Sequence, residues 1–379
     1  MRDFIASINE MGSVDDEVRD IVATLPELAS VEGVCAAVDA RMARGDFAFG
    51  VDLCLAIAQA HGPDARGSVF DHVFGRLART SGTETAVQAL RLVCSKEFRS
   101  VALDRWAARW LASGHPAEDM VSAFTDDAVS DELRACLVQE LLLKGDAVAE
   151  TRVVAEWVSR RWDTHALGWL PPLRLSDVEA RRDLGFGRIS LPPLGSMLEG
   201  GTEIASRAPG PSVEEVTTPA VHRAIVAAVS GWVDRAGRAE ARVFRFADPV
   251  KVEAVPSLLP ALDLVSLADV GPAAPLVVKA WPPALAWWAL YAAAMPGGAY
   301  DGGLGGAYGR LAVWRSLAGL CGVADDAPFD EVDAAVRKAG WYGFHADTNW
   351  FEWIAWDLGV AALSPDRRRL AILAATDTD

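Results

Sequence analysis

SDELRACLVQELLLKG, residues 130–145, sets the fold class of the first half of the chain. Ser130 has the hydroxyl that caps a helix N-terminus, and Asp131 and Glu132 place negative charge where the helix dipole is positive. Leu133, Leu137, Leu141 and Leu142 fall on one stripe of a helical surface. Gly145 ends the segment, because glycine adopts the left-handed conformation that closes a helix. Cap, apolar stripe and glycine stop together predict one short amphipathic helix.

The same grammar recurs upstream and downstream. Helix starts are expected near Ser13, Ser30, Asp46, Asp64, Thr83, Phe98, Pro116 and Val148, with Asp16 placed three residues after Ser13. Stops are expected at Gly45, Gly62-Pro63, Gly82 and Gly114. Val101, Trp106 and Trp110 are expected to form a core-facing stripe. Starts are spaced by roughly 14 to 18 residues, so a helix pair takes about 34, the length of a helical-repeat unit. Residues 1–162 are therefore expected to form an antiparallel helical array of α-solenoid type. No tetratricopeptide or ankyrin consensus is present, and an irregular helical bundle satisfies the same spacing.

Residues 163–215 break this rhythm with Pro171-Pro172, Pro192-Pro193, Gly200-Gly201 and Pro209-Gly210-Pro211. They are expected to be a connection, partly mobile, with a short strand near Leu184–Ile189. Residues 216–379 are mixed and are expected to form a smaller α+β domain, making the protein mainly α overall. Residues 220–236 read as a helix with Pro219 in its first turn, and 242–246 alternate as a strand. Residues 283–294, 304–320 and 329–338 read as helices. The apolar runs 354–363 and 370–373 flank Ser364-Pro365-Asp366 and predict a closing β-hairpin. A helix over 350–363 is the rival expectation. Eight of the 14 tryptophans lie between Trp281 and Trp356, which predicts an aromatic core there.

Composition narrows the function. With 379 residues, two or three domains are expected at about 150 residues each. An apolar fraction of 51% excludes disorder as the dominant state. The net charge is -16, from 52 acidic and 36 basic residues. Nucleic acid is not expected as a partner, because such binding draws on basic stripes that release counterions. Asp3 and Glu10 interrupt the N-terminus before any run of signal-peptide length, so no secretion signal is expected. The apolar stretch 280–295 is too short to span a bilayer and is broken by Pro282-Pro283, so no membrane association is expected. Cys35, Cys54, Cys94, Cys136 and Cys321 show no CxxC spacing, as expected of reduced thiols in a cytoplasmic protein.

Three features bear on chemistry. Seven of the 13 residues in 297–309 are glycine, and a helix follows. Backbone amides there, with Gly305, Gly306, Tyr300, Tyr308 and Arg310, are ligand-binding candidates, although no Gly-Lys-Ser/Thr or GxGxxG spacing occurs. A tight loop that lets Tyr300 and Tyr308 pack closely explains the same glycines. His345, Asp347 and Asn349 form a His-x-Asp-x-Asn cluster that offers a base and its orienter, with Asp301 as a further catalytic candidate. Alternatively, Asp347 or Thr348 caps a turn while His345 packs among Trp341, Phe344 and Trp350. A metal there would need Asp301, Asp357 or Asp377 as well, and neither a metal nor a cofactor is expected. The acidic end, 376–379, offers carboxylates to a cation or is a solvated tail. His61, His72, His115, His165 and His222 are isolated, and HExxH and GxSxG are both missing.

Gly297-Gly298-Ala299-Tyr300, the near repeat Gly305-Gly306-Ala307-Tyr308-Gly309-Arg310-Leu311, and the segments Trp356–Gly359 and Ala374–Asp379 resemble a family of uncharacterised actinobacterial proteins. The resemblance is concentrated in about the last hundred residues. It implies a bacterial cytosolic origin and carries no mechanism. Two functions are therefore expected to compete. One is a protein-interaction or scaffold role for the helical array, with another protein as partner. The other is an enzyme or small-ligand site near the glycine-rich loop.

Overall fold

The computed structural model describes residues 14–379 except Arg66, 180–193, 207–211, 235–236, 300–301, 352–355 and 378–379. The strand expected near residues 184–189 lies outside the described residues. The chain divides into two compact units, Met1–Gly168 and Trp169–Asp379. Among the described residues, no helix is long and apolar enough to cross a membrane.

The first unit is helical. Its helices are α1 (Val14–Thr24), α2 (Glu32–Met42), α3 (Phe47–His61), α4 (Gly67–Arg79), α5 (Thr83–Val93), α6 (Val101–Gly114), α7 (Val121–Thr125), α8 (Asp131–Lys144) and α9 (Arg152–Arg161). Side-chain caps set several of the starts. Asp46 accepts from the Phe49 amide at 3.3 Å, Ser100 from Leu103 at 3.1 Å and Ser130 from Leu133 at 3.0 Å. Gly145 closes α8 at φ 92°. Gly114 acts differently from the expected left-handed stop. It is the last residue of α6, and a Cβ there would lie 1.9 Å from the Ala78 carbonyl oxygen, so glycine lets α6 approach α4 closely.

Each helix from α1 to α7 packs against the helix two places further on. Leu133, Leu137 and Leu141 are fully buried in α8, which packs on α6. Ser130 links these two helices by donating to buried Asp104 at 2.7 Å. Buried His115 lies with Nε2 3.1 Å from the Leu77 carbonyl, and burial holds its pKa below the ordinary imidazole value. Neutral and enclosed, His115 ties helix ends together.

The second unit is built on a seven-stranded sheet. Its strands are β1 (Thr202–Ile204), β2 (Val213–Glu215), β3 (Arg238–Phe246), β4 (Leu276–Trp281), β5 (Gly340–Ala346), β6 (Trp356–Leu363) and β7 (Arg369–Asp377). They lie in the order β1-β4-β5-β6-β7-β3-β2, every neighbouring pair antiparallel. The helices are α10 (Pro219–Ile225), α11 (Pro283–Ala294), α12 (Gly305–Cys321) and α13 (Phe329–Lys338). The expected helix over 220–236 is divided: α10 passes into a tighter turn, Val226–Val229, and then a short helix, Ser230–Val233.

Both faces of the sheet are covered, so its central strands read as apolar runs rather than alternating ones. On one face Phe244, Leu276, Phe344, Leu370 and Ile372 pack with Val255, Leu259, Leu262 and Leu267 from a chain of short helical turns. Helices α11 and α12 pack against β5, β6 and β7. β6 pairs with β7 from Trp356↔Asp377 to Leu363↔Leu370, and Ser364–Arg368 turn between them. A helix across residues 350–363 is thereby replaced by strand over 356–363; residues 352–355 lie outside the described set. β4 and β5 were not expected at all, since neither shows period-two alternation.

Residues 169–179, expected as the beginning of a connection, are pinned to this unit. Trp169 donates from Nε1 to the Ala327 carbonyl at 2.9 Å, and Ser176 bonds Asp333. Arg310 and Glu179, both buried, form a two-pronged pair at 2.6 and 2.8 Å. The guanidinium also donates to the carbonyls of Pro171 and Arg174, while Trp314 Nε1 and the Ser176 amide donate to Glu179. Removing one partner of such a pair strands a buried charge, at a cost of about 3–5 kcal/mol. Glu179→Gln is therefore expected to lower the urea midpoint sharply, and the double variant Glu179→Leu/Arg310→Met to recover part of the loss. An unchanged midpoint for Glu179→Gln would show that the pair does not hold the segment.

Candidate functional site

The sheet register assembles the histidine site. Glu203 on β1 pairs with Val277 on β4, and Val277 pairs with His345 on β5. Directly opposed residues share a face, so the three side chains line up across adjacent strands. Pairing of β5 with β6 ends at Gly343↔Val360. Past that point, His345 Nε2 lies 3.5 Å from Asp357 Oδ2, with both side chains buried. The His345 ring leans on Phe351, with centroids 4.8 Å apart.

Asp347 is exposed, and it lines a cavity of about 430 Å³ together with Glu199, Glu203, Pro275, Val277 and His345. The rest of the His-x-Asp-x-Asn cluster turns elsewhere. Asn349 donates to Asp269 at 3.0 Å, and Thr348 donates to the Ser266 carbonyl and accepts from the Trp350 amide. His345 and Asp347 thus reach one cavity wall, while Asn349 does not contribute.

The glycine-rich loop is organised around a different acid. Tyr300 and Asp301 lie outside the described residues. The Ala299 amide donates to Asp377 Oδ2 at 2.7 Å, and Asp377 is only 2% exposed. A Cβ on Gly298 would sit 2.0 Å from that same oxygen, so the loop closes over Asp377 only with glycine there. Gly305 spends its amide on the Met295 carbonyl at 3.2 Å, and Gly306 is buried at the start of α12. Tyr308 lies on the same helix, one half-turn before Arg310, which is committed to Glu179. None of Gly305, Gly306, Tyr308 and Arg310 is among the described residues lining the His345 cavity. No group of three His, Cys, Asp or Glu side chains among the described residues is placed to hold a metal ion.

The helical unit carries a surface that the sequence pattern misassigned. Trp106 and Trp110 were expected to face the core with Val101. Instead, each tryptophan is 37% exposed and Val101 is 55% exposed. The buried side of α6 is made by Ala107, Ala108, Leu111 and Ala112. The two indoles lie 6.0 Å apart, and the series continues through Phe74, 4.8 Å from Trp106, to Phe70 and Phe98. Arg79 lies 5.6 Å over the Trp110 ring. Arg109 is exposed, and Arg105 reaches Glu132 at 2.6 Å. The available signal was the run of small alanines beside the tryptophans, which marks a helix face on which close packing leaves no room for indoles.

The cysteines offer no activated thiolate. Burial pushes Cys94 up to about 11 and Cys321 up to about 12, and raises Cys54, Cys136 and Cys35 as well. A nucleophilic cysteine needs the opposite shift. Native protein at pH 8 is expected to react with iodoacetamide far more slowly than the unfolded chain, with no rapidly alkylated position. A fast stoichiometric modification, located by mass spectrometry, would overturn this.

Comparison with curated proteins returns no match, and comparison with solved structures returns none either. A family model does match, over residues 32–379, and it is described as a family of unknown function, DUF6183. Because that match extends through both compact units, the chain belongs to the DUF6183 family.

Proposed function

We propose that the protein is a protein-interaction module whose helical unit captures an acidic segment of a partner protein on the α4–α6 face. The observation that carries this reading is the pair of exposed, adjacent tryptophans, Trp106 and Trp110. Tryptophan and arginine dominate the energetics of protein interfaces, because each covers much apolar area while keeping a polar handle. Here Arg79 already lies over an indole, and Arg105 and Arg109 occupy the neighbouring row of α6.

The charge of this face singles out the occupant. The whole chain carries a net charge of -16, yet the exposed surface of α6 presents Arg109 with no acid of that helix beside it except buried Asp104, while Arg105 is engaged by Glu132 of α8. An extended acidic segment with an apolar side chain fits this pattern. Its carboxylates pair with Arg79 and Arg109, and its apolar group seats between the indoles. Packing of each helix on the helix two places along supports a solenoid-like array, which presents such a face on a rigid support. The competing enzyme reading required Arg310 and the glycine-rich loop to meet His345 and Asp347, and Arg310 instead pairs with Glu179.

The test is selection of a random peptide library against the full-length protein, followed by affinity measurement on synthetic versions of the enriched peptides. Acidic peptides with a central apolar or aromatic residue are expected. Trp106→Ala/Trp110→Ala should weaken them by about 30-fold or more, the size of a hot-spot loss near 2 kcal/mol. Both side chains are partly exposed, so the variant is expected to keep its helical circular-dichroism spectrum. Enrichment of basic peptides, or binding indifferent to the double substitution, would reject the proposal.

A further inference from the structure

The cavity beside His345 has a lining that selects its own class of ligand. At about 430 Å³ it is of the size that holds small organic molecules. Val277 forms its centre, between Glu203 on one neighbouring strand and His345 on the other. Adjacent strands are about 4.8 Å apart, so the backbones carrying Glu203 and His345 stand about 10 Å apart across that apolar floor. Pro275 and Leu198 extend the floor, and Asp347 and Glu199 stand at the margin.

The charge balance is one-sided. Glu199, Glu203 and Asp347 are exposed carboxylates, and no ion pair engages any of them among the described residues. Lys279, the nearest cation on β4, donates to the Glu199 backbone carbonyl at 2.7 Å. Behind the wall, Asp357 adds a fourth carboxylate beside the His345 ring. The acids are too dispersed to converge on a bare metal ion, since no suitable trio exists among the described residues. Separated negative groups around an apolar floor complement separated positive groups joined by methylenes.

We infer that this cavity binds a linear organic di- or polyamine, one ammonium group at Glu203 and another at Asp347, with the alkyl chain lying over Val277 and Pro275. Each ammonium makes charge-assisted hydrogen bonds to its carboxylate, and the methylenes leave water against apolar side chains. The buried His345 ring, steadied by Asp357 and Phe351, forms the rigid wall that fixes the chain's direction. The site lies wholly in the second unit and is independent of the surface proposed on the helical unit.

Isothermal titration of the full-length protein with putrescine and with spermidine tests this. Saturable binding with a one-to-one stoichiometry is expected, weakening as salt rises. Glu203→Gln and Asp347→Asn should each reduce affinity about tenfold, the loss of one charge-assisted contact. Glu84→Gln, an exposed acid on α5, should leave it unchanged. Nα-acetyl-lysine methylamide offers one ammonium on the same kind of alkyl stem and should bind at least tenfold more weakly than putrescine. Three results would overturn the inference: no saturable binding, equal affinity for the monoamine, or equal loss in all three variants. The last would identify general counterion attraction to an acidic protein.

Discussion

A guanidinium with no exposure to water must find all its partners inside the protein, and Arg310 does so. It bonds both oxygens of Glu179 and the carbonyls of Pro171 and Arg174. Taking two charges out of water is expensive, and the cost is offset only when geometry and supplementary hydrogen bonds are complete. Trp314 Nε1 and the Ser176 amide complete the carboxylate's side. The consequence is positional. Residues 169–179 can dock on α12 in one way only, because any slip leaves a buried charge unsatisfied. Trp169, stacked edge-on against Phe329, and Ser176, bonded to Asp333, follow from that placement.

With this segment fixed along α12, the sheet has a settled cover on the side of α11 and α12, and the short turns 252–270 cover the other face. Enclosure on both faces explains the composition of β6 and β7, where residues 358–363 and 370–375 are all buried. It also confines polar chemistry to places where the sheet ends. One is the margin formed by β1, β4 and β5, where pairing with β6 has stopped and His345 meets Asp357. Another is the end of β7, where Asp377 is capped by the Ala299 amide of the glycine-rich loop. Glycine richness in that loop therefore serves close approach to a buried carboxylate at Gly298. An anion cradle would need free amides, and Gly305 gives its amide to Met295.

In the helical unit, the same packing logic decides which aromatic residues are covered. Helix α6 approaches α4 through Gly114 and α8 through Asp104 and its alanines, so bulky side chains are displaced to the outer rows. Phe74 stays buried, whereas Trp106 and Trp110 extend the aromatic series into solvent. The indoles meet at a tilt of 52°, and Arg79 lies over the Trp110 ring, so both tryptophans have aromatic or cationic neighbours while they remain partly exposed. The sequence interval between the tryptophans marks them as neighbours on a helix but does not say which way that row faces.

By itself, the sequence determined what local chemistry controls. Helix starts at Asp46 and Ser130, the stop at Gly145 and the extent of α13 follow from caps, dipole-matched charge and glycine conformation, all acting within a few residues, whereas the start expected near Phe98 falls at the Ser100 cap. The apolar runs on either side of Ser364-Pro365-Asp366 were likewise legible, because a turn and its flanks are contiguous. Tertiary structure alone decided the rest. β5 lacks alternation because both its faces are buried, which depends on what packs above and below it, and β4 is placed by its pairing with β5. Arg310 looked like a ligand for an anion until folding brought Glu179 to it from 131 residues away. His345 and Asp347 acquired Glu203 through strand register across β4, a pairing that no spacing along the chain encodes. Side chains near in sequence reveal themselves through local periodicity, whereas partners joined across a sheet or through a buried charge are chosen by burial and desolvation acting on the whole unit.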